Sequence, residues 1–320
     1  METPLRCVVT GCAGFIGSHL TEALIARGHH VVGIDCFVDY YPRTTKLANL
    51  AAMRGSPLFT FVEADLLQCD LHGLLDGVDC VFHQAAQAGV RASWGQNFSI
   101  YTQNNILATQ RLLEAAKEHP LRRFVYASSS SVYGDAPELP VTEDALPRPI
   151  SPYGVSKLAA EHLCRLYWVN YGVPTVSLRY FTVYGPRQRP DMGFHKFIRA
   201  LLTGEEITIY GNGEQTRDFT YISDAVAANL ACLEADVAGQ VFNIGGGSRT
   251  SVNRVLSILE SISGRKAIVR RVESQKGDVR DTYADTSRAR EMLGFRPSVP
   301  IEEGLRMELE WLSGVLGAGS

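Results

Sequence analysis

The stretch Leu5-Arg6-Cys7-Val8-Val9-Thr10-Gly11-Cys12-Ala13-Gly14-Phe15-Ile16-Gly17 decides the fold. It begins as a short apolar run, and its evenly spaced glycines then open a helical pattern from Phe15 to Arg27. Glycine lets the backbone turn tightly, lets it approach a pyrophosphate with no Cβ in the way, and lets helix pack closely on strand. The helix start offers free N–H groups and a positive dipole end to phosphates. A glycine-rich turn without a ligand is the bland alternative, and the neighbouring sequence counts against it. Asp35 lies 18 residues after Gly17, at the end of the second apolar run. A carboxylate there accepts both ribose hydroxyls of an adenosine and repels a 2′-phosphate, which favours NAD over NADP. Asp65, ending the third run, reads equally as a plain strand-end acid or a partner of the adenine amino group.

Working outward, Leu5 to Thr10, His30 to Asp35, Phe59 to Asp65, Val78 to Ala85, Arg123 to Ser128 and Thr175 to Tyr180 each read as a strand covered on both faces. Helical patterns lie between them, Phe15 to Arg27 stopping at Gly28 and Asn104 to His119 stopping at Pro120. This alternation predicts an α/β fold with a doubly wound parallel sheet, the Rossmann arrangement. After Gly185 the rhythm changes to a proline-bounded polar loop, a helix from Phe194 to Leu202, a strand at Ile207 to Tyr210 and a turn at Gly211-Asn212-Gly213. Gln240 to Ile244 reads as a strand returning to the first lobe, and Ser251 to Ser263 and Ile301 to Leu312 as amphipathic helices. Residues 1–184, with a return segment near 220–250, are expected to form the dinucleotide-binding domain. Residues 185–320 mainly form a smaller C-terminal α/β lobe that binds substrate.

Composition narrows the class. A chain of 320 residues, 45% hydrophobic and 20% charged, buries roughly 75% of its unfolded surface, enough for two lobes. The net charge of −3 argues against nucleic acid, and no basic run resembles a membrane tether. Seven cysteines with no C-x-x-C pair make neither a disulfide framework nor a zinc site, so no metal is expected, and they suit a reducing cytosol. No signal-like start and no stretch of about 18 apolar residues is present, so a cytoplasmic protein off the membrane is expected.

The segment Ser151-Pro152-Tyr153-Gly154-Val155-Ser156-Lys157 opens a helix reaching about Asn170, with Ser151 as cap and Pro152 in the first turn. Tyr153 and Lys157 are then one turn apart on one face. A phenol is a poor base at neutral pH, but a nearby ammonium and the positive ring of oxidised NAD both favour the phenolate. Such a tyrosine takes a proton from an alcohol while the same carbon is oxidised. The strand Arg123 to Ser128 delivers Ser129-Ser130-Ser131-Val132-Tyr133-Gly134 at its C-terminal end, where open α/β sheets place ligands. A serine there can share the proton with Tyr153. Alone, the pair reads as an exposed helix face and the serines as a turn; with the glycine motif in this order, coincidence is improbable.

These residues resemble the extended short-chain dehydrogenase/reductases, and within them the nucleotide-sugar epimerases. The resemblance also rests on His83-Gln84-Ala85-Ala86, on Arg179 to Pro186, on Gly211-x-Gly213-x-Gln215-x-Arg217-Asp218-Phe219 and on Gly277-Asp278-Val279-Arg280, covering nearly the whole chain. It implies a tightly held NAD, contacted by Gly11, Gly14, Phe15, Ile16, Gly17, Asp35, Asp65, Leu66, Ala85, Ala86, Tyr153 and Lys157. It makes Ser129, Tyr153 and Lys157 the catalytic residues. Arg217 and Arg280 become diphosphate ligands, because a guanidinium fork suits phosphate oxygens, although solvated surface charge is an alternative for both. Asp278 is expected near the uridine ribose and Gln215 at the substrate. The family tends toward homodimers through paired helices, with the Tyr153 and Asn104 helices as the expected pair. His83 and His195 are expected to be structural.

Relatives share oxidation at carbon 4 of the sugar and then diverge. A 4,6-dehydratase typically carries Asp and Glu directly after its threonine, where Ser130 and Ser131 stand here. Without those carboxylates, rotation of the 4-keto sugar and return of the electron pair to its other face remain: 4-epimerisation. Asp39-Tyr40-Tyr41-Pro42, Gln87-Ala88-Gly89-Val90-Arg91 and Gly185 to Met192 look most like UDP-glucuronate 4-epimerases. That resemblance implies a UDP-sugar bound by Gln87, Arg91, Ser129, Ser130, Ser131 and Thr182, whose hydroxyls can hold a sugar carboxylate. Arg189 could supply charge to it, or be a surface-loop residue or a nucleotide contact. The alternatives are an epimerase of neutral UDP-hexoses, a decarboxylase or dehydratase, and a non-catalytic NAD-binding regulator.

Overall fold

The computed structural model describes residues 3–273, 277 and 279–317. Strands and helices alternate as β1 (Arg6–Thr10), α1 (Phe15–Ala26), β2 (His30–Asp35), α2 (Arg43–Asn49), β3 (Phe59–Glu63), α3 (Leu71–Leu75) and β4 (Cys80–His83). Then come α4 (Phe98–Tyr101), a π-helical turn (Thr102–Leu107), α5 (Ala108–Ala116), β5 (Arg123–Ser129), α6 (Pro152–Tyr171) and β6 (Thr175–Tyr180). The chain continues through β7 (Val183–Tyr184), α7 (Gly193–Thr203), β8 (Glu206–Tyr210), β9 (Thr216–Asp218), β10 (Thr220–Tyr221), α8 (Ile222–Glu234) and β11 (Val241–Ile244). It closes with β12 (Arg249–Ser251), α9 (Val252–Ser263), β13 (Ile268–Val272), α10 (Ser287–Leu293) and α11 (Ile301–Gly317).

Seven strands form one parallel sheet in the order β11-β6-β5-β4-β1-β2-β3, the doubly wound fold expected from the sequence. The strand order reverses between β1 and β4, and open α/β sheets bind ligands in the crevice at that point. Apolar side chains of β5 and β6 are buried on both faces. One face packs Leu20 and Leu24 of α1 with Ala225 and Ala228 of α8. The other packs Leu112 and Leu113 of α5 with Ala160 and Cys164 of α6. The remaining segments supply a parallel pair, β8 with β13, and an antiparallel pair, β9 with β12.

Several elements differ from expectation. The single helix expected over Asn104 to His119 instead begins at Phe98 and widens through the π-turn before α5. The cause is tertiary: Asn105 in that turn accepts from the Gln87 backbone N–H at 2.7 Å and donates to the Gln87 carbonyl at 3.0 Å and the Ser156 hydroxyl at 2.9 Å. β3 ends at Glu63, which leaves Asp65 in the turn beyond the strand, its carboxylate accepting from the Leu67 N–H at 2.9 Å. β13 was not foreseen, because its Ile268 to Arg271 are all exposed and show no buried face. Among the described residues no helix is long and apolar enough to cross a membrane.

Candidate active site

At the C-terminal edge of the sheet a cavity of about 210 Å³ runs from the β1–α1 turn to the start of α6. Gly11 (φ +69°) has the left-handed conformation that favours glycine, and a Cβ there would lie 2.9 Å from the Ala85 backbone. A Cβ on Gly17 would strike the Gly11 carbonyl, so the helix closes onto the turn only because both residues are bare. Gly11, Gly14, Phe15, Ile16 and Gly17 line one wall, with Asp35, Asp65 and Leu66 at one end and Ala85 and Ala86 opposite. Asp35 accepts from the N–H groups of Phe37 at 2.8 Å and Ala13 at 3.2 Å, and burial raises its carboxyl above the usual range. Gln84 also lines this wall, and its Oε1 is buried without a hydrogen-bond partner among the described residues. A bare glycine cradle, a carboxylate at the far end and an orphaned acceptor suit a dinucleotide.

At the other end of the cavity stand Tyr153 and Lys157. Ser151 caps α6 by accepting from the Gly154 N–H at 3.1 Å, and Pro152 occupies the first turn, so both side chains project from one turn. Ser129 lies near enough to the Tyr153 phenol to favour its ionised form. The phenol nevertheless sits above its ordinary pKa. Burial dominates, and the nearby Ser129 and the positive Arg189 only offset it. This corrects the expectation that Lys157 depresses the phenol. Lys157 is itself buried, its Nζ 4.7 Å from the centre of the Tyr126 ring, and burial pulls the ammonium down to about 7.

The other expected residues divide into three groups. Gln87 and Arg189 line the cavity. Ser130 and Ser131 form a 3₁₀ turn directly after Ser129, whose hydroxyl accepts from the Ser131 N–H at 3.1 Å. Gly154 touches the Ser131 carbonyl, leaving no room for a Cβ. Thr182, half-buried, follows β6 at the same sheet edge. Arg91, Gln215, Arg217 and Arg280 stand outside the cavity walls. Arg91 stacks on Tyr210 of β8, its guanidinium 4.0 Å from the ring centre, and Gln215 donates to the Tyr210 carbonyl at 2.9 Å. Arg217 donates to the Arg280 carbonyl at 2.8 Å, so the two arginines meet, and the Arg280 side chain is exposed. Asp278 lies outside the described residues.

Residues 7–245 match the NAD dependent epimerase/dehydratase family. The chain belongs to that family. It is 48% identical over 311 residues to a Bacillus subtilis protein named as an uncharacterized UDP-glucose epimerase, YtcB, covering 97% of this chain and 98% of that one. It is 39% identical over 310 residues to the UDP-glucuronate 4-epimerase of Thermodesulfobacterium geofontis, covering 95% of each. Among solved structures it is similar, at a TM-score of 0.95 and 46% identity, to the Bacillus cereus UDP-glucuronic acid 4-epimerase in complex with UDP-glucuronic acid and NAD. That match covers 97% of this chain and all of the other.

This epimerase/dehydratase site includes residues that sequence reasoning missed. Asn105 ties the Gln87 backbone to Ser156, whose hydroxyl donates to the Tyr153 carbonyl at 2.7 Å. Its signal is an asparagine amid helical apolar spacing, where a side chain that competes with the backbone is unexpected. Tyr40, in a segment quoted for its resemblance, lines the cavity and donates to Asp191 at 3.1 Å. Lys46 of α2 lines it beside Asp35 and donates to the Val38 carbonyl at 2.7 Å. His83 and His195 have structural partners: His83 sits between the hydroxyls of Thr10 and Thr109, and His195 hydrogen-bonds Gln188.

Proposed function

We propose that this chain is an NAD-dependent UDP-glucuronate 4-epimerase, an isomerase that interconverts UDP-glucuronate and UDP-galacturonate. The observation that carries the proposal is that Tyr153 and Lys157 line the same cavity as the bare glycine cradle and Asp35, with Ser129 near enough to the phenol to lower it. The similarity to UDP-glucuronic acid 4-epimerases supports the substrate.

The cradle Gly11, Gly14, Phe15, Ile16 and Gly17 receives the pyrophosphate of NAD, Asp35 the adenosine ribose, and Lys157 the nicotinamide ribose. NAD held there would supply the acceptor for the electron pair and hydrogen of carbon 4 and their return. Tyr153, as phenolate, would take the proton of the 4-hydroxyl, with Ser129 sharing it, and would give it back to the 4-oxygen of the turned sugar, whose carbon 4 regains its hydrogen with the electron pair on the opposite face. Arg217, Arg280, Gln215 and Asp278 hold the UDP, mainly on the lobe of residues 185–320. Residues 1–184 with the return segment near 220–250 hold the cofactor.

The 4-keto-uronate is a β-keto acid and loses carbon dioxide when its carboxylate bond aligns with the ketone π system. Ser130, Ser131 and Thr182 hold the carboxylate out of that alignment with short, rigid donors. Positions 130 and 131 carry no carboxylate able to abstract the carbon-5 proton, which disfavours elimination. A second reading, epimerisation of neutral UDP-hexoses, is favoured by the name of the Bacillus subtilis relative.

The protein acts as a homodimer in the cytoplasm. Val155, Leu166 and Val169 leave exposed apolar positions on one face of α6, and Ile100 and Leu107 are exposed on α4 and the π-turn that pack against that helix, an area a second copy would cover. All seven cysteines are free, as a reducing compartment keeps them.

The test is incubation with UDP-glucuronate and UDP-glucose in parallel, without added NAD, with products identified by NMR. UDP-galacturonate supports the first reading and UDP-galactose the second, whereas UDP-xylose would sink the role given to the serines. Tyr153→Phe separates an enzyme, which loses turnover, from a regulator that merely binds NAD.

A further inference from the structure

We propose that the buried Arg179–Glu161 pair is a positioning device that clamps both ends of the hydroxyl-bearing turn, residues 128–133, against the helix carrying Tyr153 and Lys157. The roles of Ser129 and Tyr153 are those of the proposed function, and the inference rests on them.

The register of the sheet sets the first end. β5 and β6 pair in parallel with Ser128 beside Arg179 and Ser129 beside Tyr180. Glu161 lies one helical turn beyond Lys157 on α6, facing the same strands. Its Oε2 accepts from the Ser128 hydroxyl at 2.6 Å and from Arg179 Nε at 3.0 Å, and its Oε1 accepts from Arg179 Nη2 at 2.6 Å. The carboxylate therefore grips the last strand residue before Ser129 from the helix that bears the tyrosine.

The same guanidinium holds the second end. Nη1 donates to the Tyr133 hydroxyl at 2.6 Å and to the Glu143 carbonyl at 3.1 Å, and the Tyr133 ring lies 4.7 Å from the guanidinium carbon. Tyr133 passes the bond on to Asn243 of β11 at 2.6 Å. Ser129, Ser130 and Ser131 fall between these two pins. Midway, the Ser131 carbonyl rests on bare Gly154 of the helix. The turn is thus fixed at its start, its end and its middle, all relative to α6.

Stability alone does not call for such a pair. Removing two full charges from water costs several kcal/mol per ion, and well-packed apolar side chains join a strand to a helix as well or better. What the planar fork adds is direction, since it fixes two acceptors in space at once. Hydroxyls that must meet a sugar before and after its ring turns gain from that direction.

The test uses the full-length protein with its cofactor. Ser128→Ala and Tyr133→Phe each remove one pin and leave the ion pair in place. Each is expected to lower kcat about tenfold, the scale on which small misplacement acts, with KM for the UDP-sugar within about twofold of wild type. The acid limb of the kcat–pH profile should also move to higher pH, because the approach of Ser129 that lowers the Tyr153 phenol is loosened. Hydrogen exchange of the peptide spanning 128–134, read by mass spectrometry, should be faster in both variants. Turnover within twofold of wild type, or unchanged exchange in that peptide, overturns the clamp. If wild type turns over neither UDP-glucuronate nor UDP-glucose, the proposed function fails instead, and the exchange measurement still decides the clamp.

Discussion

Arg189 and Asp191 form a bidentate ion pair at the wall of the dinucleotide cavity, Nε to Oδ1 at 2.9 Å and Nη2 to Oδ2 at 3.0 Å. The Tyr40 hydroxyl donates to the same Asp191 Oδ2 at 3.1 Å. A guanidinium held in this way is a directed cation whose charge is already matched. It acts on Tyr153, whose phenol it lowers, more than it waits as a bare counter-charge for a sugar carboxylate.

Replacing the cation should therefore show in pH dependence. In the proposed reaction Tyr153 works as a phenolate, so removing a positive charge would raise its pKa and make the active form scarcer at a given pH. For Arg189→Gln the acid limb of the kcat–pH profile moves to higher pH, while Asp191→Asn, which unmasks Arg189, moves it lower. Steady-state profiles of both variants check the sign. A shift in the same direction for both would remove Arg189 from the account.

Gly154 gives a steric prediction. Because the Ser131 carbonyl occupies the place of a Cβ, and Pro149 Cβ lies 2.9 Å from it, Gly154→Ala must push the start of α6 away from the serine turn. The approach of Ser129 to Tyr153 is exposed to that push. Turnover is expected to drop by roughly 10²-fold, as for misplacement of about 1 Å, with bound NAD retained. Cofactor content by absorbance and kcat by NMR measure the two together.

The alternation of apolar runs with helical spacing made the parallel sheet legible, because strands buried on both faces need nothing but apolar residues. Gly11, Asp35, Tyr153 and Lys157 were legible for a different reason: each chemistry demands a residue type at a fixed offset from an element boundary. What could not be read depends on distant partners. The π-turn at Thr102–Leu107 has ordinary helical spacing and widens where Asn105 meets Gln87 and Ser156. The raised Tyr153 phenol follows from burial, which no spacing reports, and the cation that offsets it is Arg189, which only the folded loop brings near. Arg189 and Asp191 stand two positions apart, yet their joint approach to Tyr40 exists only once the loop is folded.

Ser130 and Ser131 bear on product identity. If their hydroxyls keep the carboxylate of a 4-keto-uronate out of line with the ketone, the double variant Ser130→Ala with Ser131→Ala lets that bond swing into alignment. A UDP-pentose should then accompany UDP-galacturonate, rising severalfold relative to wild type while oxidation at carbon 4 continues. NMR of a complete time course gives the ratio. An unchanged product ratio in a variant that still turns over would reassign the carboxylate to other groups.

His83 contributes to the acid sensitivity of the fold. Its Nδ1 pairs with the Thr10 hydroxyl at 2.7 Å and its Nε2 with that of Thr109 at 2.9 Å, in a fully buried position close enough to Lys157 to feel its charge. Burial, more than Lys157, lowers the imidazole from 6.5 to about 3. The folded protein thus holds a neutral ring while the unfolded chain takes up a proton below 6.5. The stability due to this ring is present above that value and is lost as pH falls from about 6.5 toward 3. A tenfold difference in proton affinity between the unfolded and folded chain is worth about 1.4 kcal/mol, so roughly 3 kcal/mol disappears between about pH 6.5 and 4. Urea unfolding of wild type and His83→Gln over this range measures it. Wild type should lose stability more steeply than the variant, whose amide can still meet the threonines but takes up no proton. Parallel slopes would mean that the ring is already charged in the fold, against its two hydroxyl partners and its burial.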